Sequence, residues 1–177
     1  MIVALAGSPS ADSRTVALLE EFADWLRAAG HEVRVVAVRS LPAAALLGAD
    51  TTDAAVVAAV SAVADADGVV VASPVYKAAY SGVLKAFLDL LPQGALAGKT
   101  VLPVLTGGAP THALALDYAL RPVLVALGAR HIAQGIFVLD KRIERTPTGV
   151  TLAADLRATL ESAVDDFTQA LPTPATH

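Results

Sequence analysis

Residues Gly68–Ala72 read GVVVA. Side chains alternate across a strand, so a strand with valine on both faces needs cover on both. That points to the middle of a parallel sheet, not to a sheet with one wet face. The same grammar recurs along the chain. Ile2–Ala6 reads as a buried strand, Glu32–Val38 as a more exposed one, and Thr100–Leu105 and Gln134–Leu139 as a fourth and fifth. Helical patterns fill the intervals. Ser13–Ala29 places Val16, Leu19, Phe22, Ala23 and Leu26 on one face and ends at Gly30. Thr52–Asp65, Ser81–Leu91 closed by Pro92, His112–Leu127 stopped at Gly128, and Leu152–Leu171 follow. Arg39–Asp50 and Asp140–Gly149 read as loops. Strands alternating with helices predict a three-layer α/β fold. Five strands suit a parallel sheet of flavodoxin-like order 2-1-3-4-5, helices on both faces, better than a six-stranded dinucleotide fold. Residues 1–171 are expected to form one domain, and 172–177, PTPATH, a mobile tail.

In such a sheet, ligands sit beyond the carboxyl ends of the strands, where the strand order reverses. Three loops therefore matter. After the first strand, AGSPSADSRT offers hydroxyls at Ser8, Ser10, Ser13 and Thr15, and the guanidinium of Arg14, at a helix N-terminus. Free N–H groups and the helix dipole favour an anion there. An ordinary serine cap gives the same local pattern. Neither G-x-G-x-x-G nor G-x-x-x-x-G-K-[ST] is present, so the usual dinucleotide and triphosphate loops are excluded. After the third strand, SPVYKAAYSG carries Pro74, the flat face of Tyr76 and the charge of Lys77, with Ser81 as a helix cap. After the fourth, Thr106–His112 carries Gly107 and Gly108, which let backbone pass close to something flat. An anion loop, an aromatic loop and a glycine loop together suit a mononucleotide with a large ring, which points to FMN.

Composition excludes several other classes. The 177 residues include no cysteine, which excludes disulfides and thiolate chemistry. The net charge is −4 with no basic stripe, so no nucleic-acid partner is expected. No apolar run reaches the roughly 20 residues a membrane helix needs, and the acidic residues and the four histidines show no metal-ligand spacing. The start, MIVALAGSPS, lacks a basic leader, and a cytoplasmic protein is expected. His112 reads as a cap or surface residue.

The helix LALDYALRPVLVAL carries its own signal. Pro122 has no N–H to give the carbonyl of Tyr118, so the helix must kink or bulge there. It is apolar nearly all round, apart from the pair Asp117 and Arg121, and such a helix is buried on more than one side. A homo-oligomer, dimer or tetramer, would supply the second side.

The stretches LAGSP with SR five residues after Ser8, SPVYKAAYSG-LK--LDLLP and TGG…H-LA-DYAL-PVL-AL resemble the NAD(P)H-dependent FMN reductases of the flavodoxin-like superfamily. They are most similar to those serving two-component alkanesulfonate monooxygenases. The resemblance covers roughly residues 1–138; Asp140–His177 matches poorly. It implies that Ser8, Ser13, Arg14 and Thr15 bind the FMN phosphate. Pro74, Val75 and Tyr76 would line the flavin ring, with Thr106, Gly107 and Gly108 along its edge, while Lys77 would hold dinucleotide phosphates or developing flavin charge. Tyr118 would belong to a π-turn at a subunit interface near the flavin and gate the site. Ser10 departs from the arginine common at that place, leaving Arg14 as the loop's main cation.

The implied reaction passes hydride from NADPH to FMN, with no protein side chain as acid or base, and supplies reduced FMN to a partner monooxygenase of sulfonate or sulfur assimilation. Two alternatives stand beside it: a reductase of quinones or azo dyes that retains its FMN, and a flavodoxin-like electron carrier. NADPH and NADH are not distinguished by any readable 2′-phosphate site.

Overall fold

The computed structural model describes residues 1–147 and 149–172. In chain order they form β1 (Ile2–Ala6), α1 (Arg14–Ala28), β2 (Val33–Ala37), α2 (Ala43–Leu47), α3 (Ala54–Asp65), β3 (Gly68–Tyr76), β4 (Ala79–Tyr80), α4 (Gly82–Leu88) and β5 (Thr100–Gly107). A π-helical turn (Leu116–Leu120), α5 (Arg121–Ala126), β6 (His131–Ile132), β7 (Ile136–Leu139), β8 (Glu144–Thr146), β9 (Gly149–Thr151) and α6 (Ala154–Gln169) follow. The expected tail lies outside the described residues, Pro172 excepted.

The parallel sheet runs β2-β1-β3-β5, with β6 and β7 both beside β5 as a divided fifth strand. This is the flavodoxin-like order the sequence predicts. Alternation sorts the core into two layers. Val3, Leu5, Val69, Val71, Val101 and Leu105 face α3, α4 and α5. Ile2, Ala4, Val70, Leu102 and Val104 face α1 and α6. Each such side chain, fully buried, contributes about 1.5–3 kcal/mol, so a one-residue slip of a central strand would exchange both layers at once.

The divided edge has a visible cause in Pro103. It stays in register with Val71 on the β3 side. A proline has no N–H to offer a second neighbour. On the other side β6 pairs with Thr100 and Val101, β7 resumes at Val104, and the edge breaks opposite Leu102 and Pro103. The predicted strand Gln134–Leu139 is thus shorter, starting at Ile136, and has a two-residue companion at His131.

Other boundaries differ as well. The expected loop Arg39–Asp50 contains α2, whose five residues bury Ala45 and Leu46 but are too short to show a helical period. The expected loop Asp140–Gly149 enters the antiparallel hairpin β8–β9, which buries Ile143 and Val150 against the α1 side of the sheet. Strands β3 and β5 run on past Ala72 and Leu105, because Ser73 and Pro74 pair onward with Leu105 and Thr106. Helix α4 stops at Leu88, short of Pro92.

Candidate functional site

The three loops singled out in the sequence converge beyond the carboxyl ends of β1, β3 and β5, and side chains bind them to one another. The Ser81 hydroxyl caps α4, accepting from the Leu84 N–H at 3.1 Å. It also donates to the Gly7 carbonyl. The Ser73 hydroxyl accepts from the Ser81 N–H at 2.9 Å. Thr15, in the first turn of α1, shares a buried hydrogen bond of 2.7 Å with Thr106 at the end of β5. Gly7 lets the first loop come this close: a Cβ there would stand 2.7 Å from Leu84 Cβ and 2.9 Å from the Ala72 carbonyl oxygen.

The start of helix α1 is the candidate anion site. Ser13 is its N-cap and accepts from the Val16 N–H, and no acidic residue occupies the first turn. No carboxylate therefore lies within the first turn to compete for the dipole and the first N–H groups, and the nearest, Asp12 just before the cap, is paired with Arg145. Ser8, Ser13 and Thr15 are buried, while Arg14 is exposed. Arg14 Nε donates to the Ile143 carbonyl at 3.2 Å. Nearby, Arg145 reaches Asp12 at 3.2 Å. The β8–β9 hairpin, set aside as a loop in the sequence reading, thus braces the anion loop.

The second loop is a hairpin. Strand β3 continues to Tyr76, turns through Lys77 and Ala78, and returns as β4, pairing Val75 with Tyr80 and Tyr76 with Ala79. Both turn residues have positive φ, 50° at Lys77 and 65° at Ala78. Two-residue hairpin turns of this hand favour Asn-Gly. A Lys-Ala pair carries strain of about 1–2 kcal/mol per residue. Nothing in the sequence signalled this, because neither residue is a turn former. Pro74 and Val75 are buried in β3, so Tyr76, 49% exposed, is the one of the three whose side chain stands on open surface. Behind it, burial pushes the Tyr80 phenol above its ordinary 10.0.

The third loop separates its two glycines. The Cβ space at Gly107 is filled by the imidazole of His112 and the ring of Phe137. At Gly108 nothing lies within 4 Å. Gly108 is therefore the position where backbone meets open space, and Gly107 is small for the sake of a neighbour. Just beyond, the predicted bulge is present: the Arg121 N–H bonds to the Leu116 carbonyl, five residues back. The turn lies against β4 and β5 and holds Tyr118, 80% exposed, on the same side of the fold as the Tyr76 hairpin.

A groove of about 660 Å3 lies elsewhere, between β7 and α6, lined by residues such as Ile136, Phe137 and Leu160. It gathers mostly apolar side chains at the sheet edge, away from the candidate anion loop, and the three loops remain the candidate site. These features fit FMN: a helix start with no acid in its first turn, open backbone at Gly108 and an exposed aromatic at Tyr76. Among the described residues no helix is long and apolar enough to cross a membrane.

Fold and loops together define a flavodoxin-like protein whose candidate mononucleotide site lies at the switch point. The profile of the NADPH-dependent FMN reductase family matches residues 1–144, and the chain belongs to that family. It is thus an oxidoreductase working with FMN and NADPH. An FMN reductase (NADPH) of Pseudomonas putida KT2440 is 50% identical over 143 residues, 81% of this chain and 73% of the relative. The FMN reductase (NADPH) of Escherichia coli K12 is 42% identical over 170 residues, 96% of this chain and 89% of the relative. The likeness therefore runs well past the residue 138 at which the motifs fade. The apo crystal structure of an NADH:FMN oxidoreductase superposes with a TM-score of 0.90 at 43% identity, covering 98% of this chain and 91% of that one.

Proposed function

We propose that this reductase takes up FMN as an exchangeable substrate, reduces it with NADPH and hands the reduced flavin to a partner monooxygenase, as in sulfonate or sulfur assimilation. In this reading residues 1–171 act as one domain in the cytoplasm. The carrying observation is the open wall of the site. Leu114, Tyr118 and Val125, spaced by four and seven residues along this helical segment, are 59%, 80% and 51% exposed. An apolar stripe of this kind marks an interaction surface, and a second copy of the chain covering it would close the site over the flavin. A site completed by a separable wall can admit and release its ligand, as a supplier of reduced flavin must. The partner monooxygenase rests on the motif resemblance.

Roles follow from placement. Ser8, Ser13, Arg14 and Thr15, at the α1 N-terminus, hold the FMN phosphate; Arg14 supplies the charge and is itself steered by the Ile143 carbonyl. Tyr76, carried on β3 beyond Pro74 and Val75, flanks the ring, and the backbone of Thr106–Gly108 borders it. When bound, FMN takes two electrons as hydride from reduced nicotinamide. The protein's part is to bind, orient and exclude water. Lys77, exposed at the hairpin tip, meets the dinucleotide phosphates. Tyr118 gates entry.

The test follows NADPH oxidation anaerobically with and without added FMN, beside the spectrum of the purified protein. Colourless protein that oxidises NADPH only when FMN is supplied supports the proposal. Yellow protein that is reduced once and stalls until a quinone or azo dye is added replaces it with the flavin-retaining reading.

A further inference from the structure

We propose that His112 is a positioning residue for FMN, its Nδ1 a hydrogen-bonding position held in reserve for the flavin-loaded form. The inference rests on the assignment of the flavin to the three loops. His112 begins no ordinary cap. Its backbone N–H closes a tight turn onto the Ala109 carbonyl at 3.0 Å, which folds the ring back under the loop. A Cβ at Gly107 would lie 2.7 Å from the imidazole Nδ1 and 3.1 Å from His112 Cβ. Gly107 has no left-handed φ to explain the glycine. The close seat of the imidazole explains it.

The nitrogen that is seated so closely has no hydrogen-bond partner, and it is shielded from solvent. It is the one such side-chain atom among the described residues. Folded proteins pair nearly all buried polar groups, and an exception calls for a reason. The surroundings supply one. Thr106, at one end of the segment, is fixed by Thr15. Gly108, in the middle, faces open space. The imidazole wedges beneath Gly107, between these two. A ring seated against Gly108 presses on the part of the loop that the imidazole supports, and the shift gives Nδ1 its partner. In the proposal the flavin-loaded loop supplies the partner that Nδ1 lacks among the protein groups. Flavin affinity is thereby tied to a group that need not touch the ring.

Three substitutions separate this from simple space-filling, read by flavin fluorescence quenching for the FMN Kd and by the Tm of the apoprotein. Asparagine places an amide where Nδ1 stands, glutamine reaches the Nε2 place, and phenylalanine keeps a ring without nitrogen. His112→Phe is expected to raise the apoprotein Tm by about 3 °C and weaken FMN about tenfold. His112→Gln weakens FMN similarly, and His112→Asn stays within about threefold of the parent, as one recovered hydrogen bond requires. Equal affinity in all three, or equal loss in all three with a lowered apoprotein Tm, overturns the proposal. Arg14→Ala is measured alongside. If it weakens FMN while the His112 variants bind like the parent, the His112 inference alone fails. If none of the four alters FMN binding, the flavin is not at these loops.

Discussion

The two halves of the site are built in opposite ways. The half made by β1, α1 and the start of α4 is buried and cross-bonded: Ser81 to Gly7, Ser73 to Ser81, Thr15 to Thr106. The half made by the β3–β4 hairpin and the π-turn is exposed, strained at Lys77 and Ala78, and lined by apolar groups facing outward. The first half resembles a mould and the second a movable wall. A phosphate is the same in every flavin state and is served by a rigid site. In the proposed function the ring must enter, meet a nicotinamide and leave, and the exposed half would serve it as a wall that a second copy completes.

The sharpest way to break the contrast is to disturb the rigid half. Gly7→Ala forces a methyl group against Leu84 and the Ala72 carbonyl. It is expected to cost about 3 kcal/mol of stability, read by chemical denaturation, and to abolish FMN binding by spreading the loop. Unchanged stability would show that the close approach is not needed. Next, Thr15→Val keeps shape but leaves the buried Thr106 hydroxyl without its partner. The expected cost is about 2 kcal/mol, with weaker FMN binding; a double variant with Thr106→Val should recover most of the stability, since both partners are then apolar.

The open half should respond differently. Tyr118→Ala removes an exposed side chain, so little monomer stability is at stake. The expected effect is a shift of the oligomer toward monomer in sedimentation, with faster FMN release; an unchanged sedimentation profile removes Tyr118 from the interface. Smallest of all, Ala78→Gly relieves one left-handed residue. Set against the added freedom of glycine in the unfolded chain, a net gain of about 0.5 kcal/mol is expected. A loss of stability instead would mean that the turn is not strained.

Legibility in the sequence follows the same division. The loops of the rigid half were visible because hydroxyls, an arginine and glycines cluster at strand ends, and the burial of each strand fixes where those ends fall. The bulge at Tyr118 was visible too, because Pro122 removes a donor wherever the helix packs. The strained turn was not, since Lys77 and Ala78 carry no turn signature. Nor was the reason for Gly107. A glycine in a candidate ligand loop reads as room for the ligand, and only the packed structure shows His112 in that room.

The sequence by itself determined the layers and the strand order. Apolar runs on both faces of a strand must be covered on both, and few topologies satisfy that. Tertiary structure alone decided the sheet edge, where Pro103 withholds an N–H from a neighbour more than thirty residues away in the chain. It also decided the bracing of Arg14 by the β8–β9 hairpin and the close seat of the His112 Nδ1 against Gly107. Those are contacts between segments distant in sequence. Their energies depend on separations of a few tenths of an ångström, which no local pattern of residue types encodes.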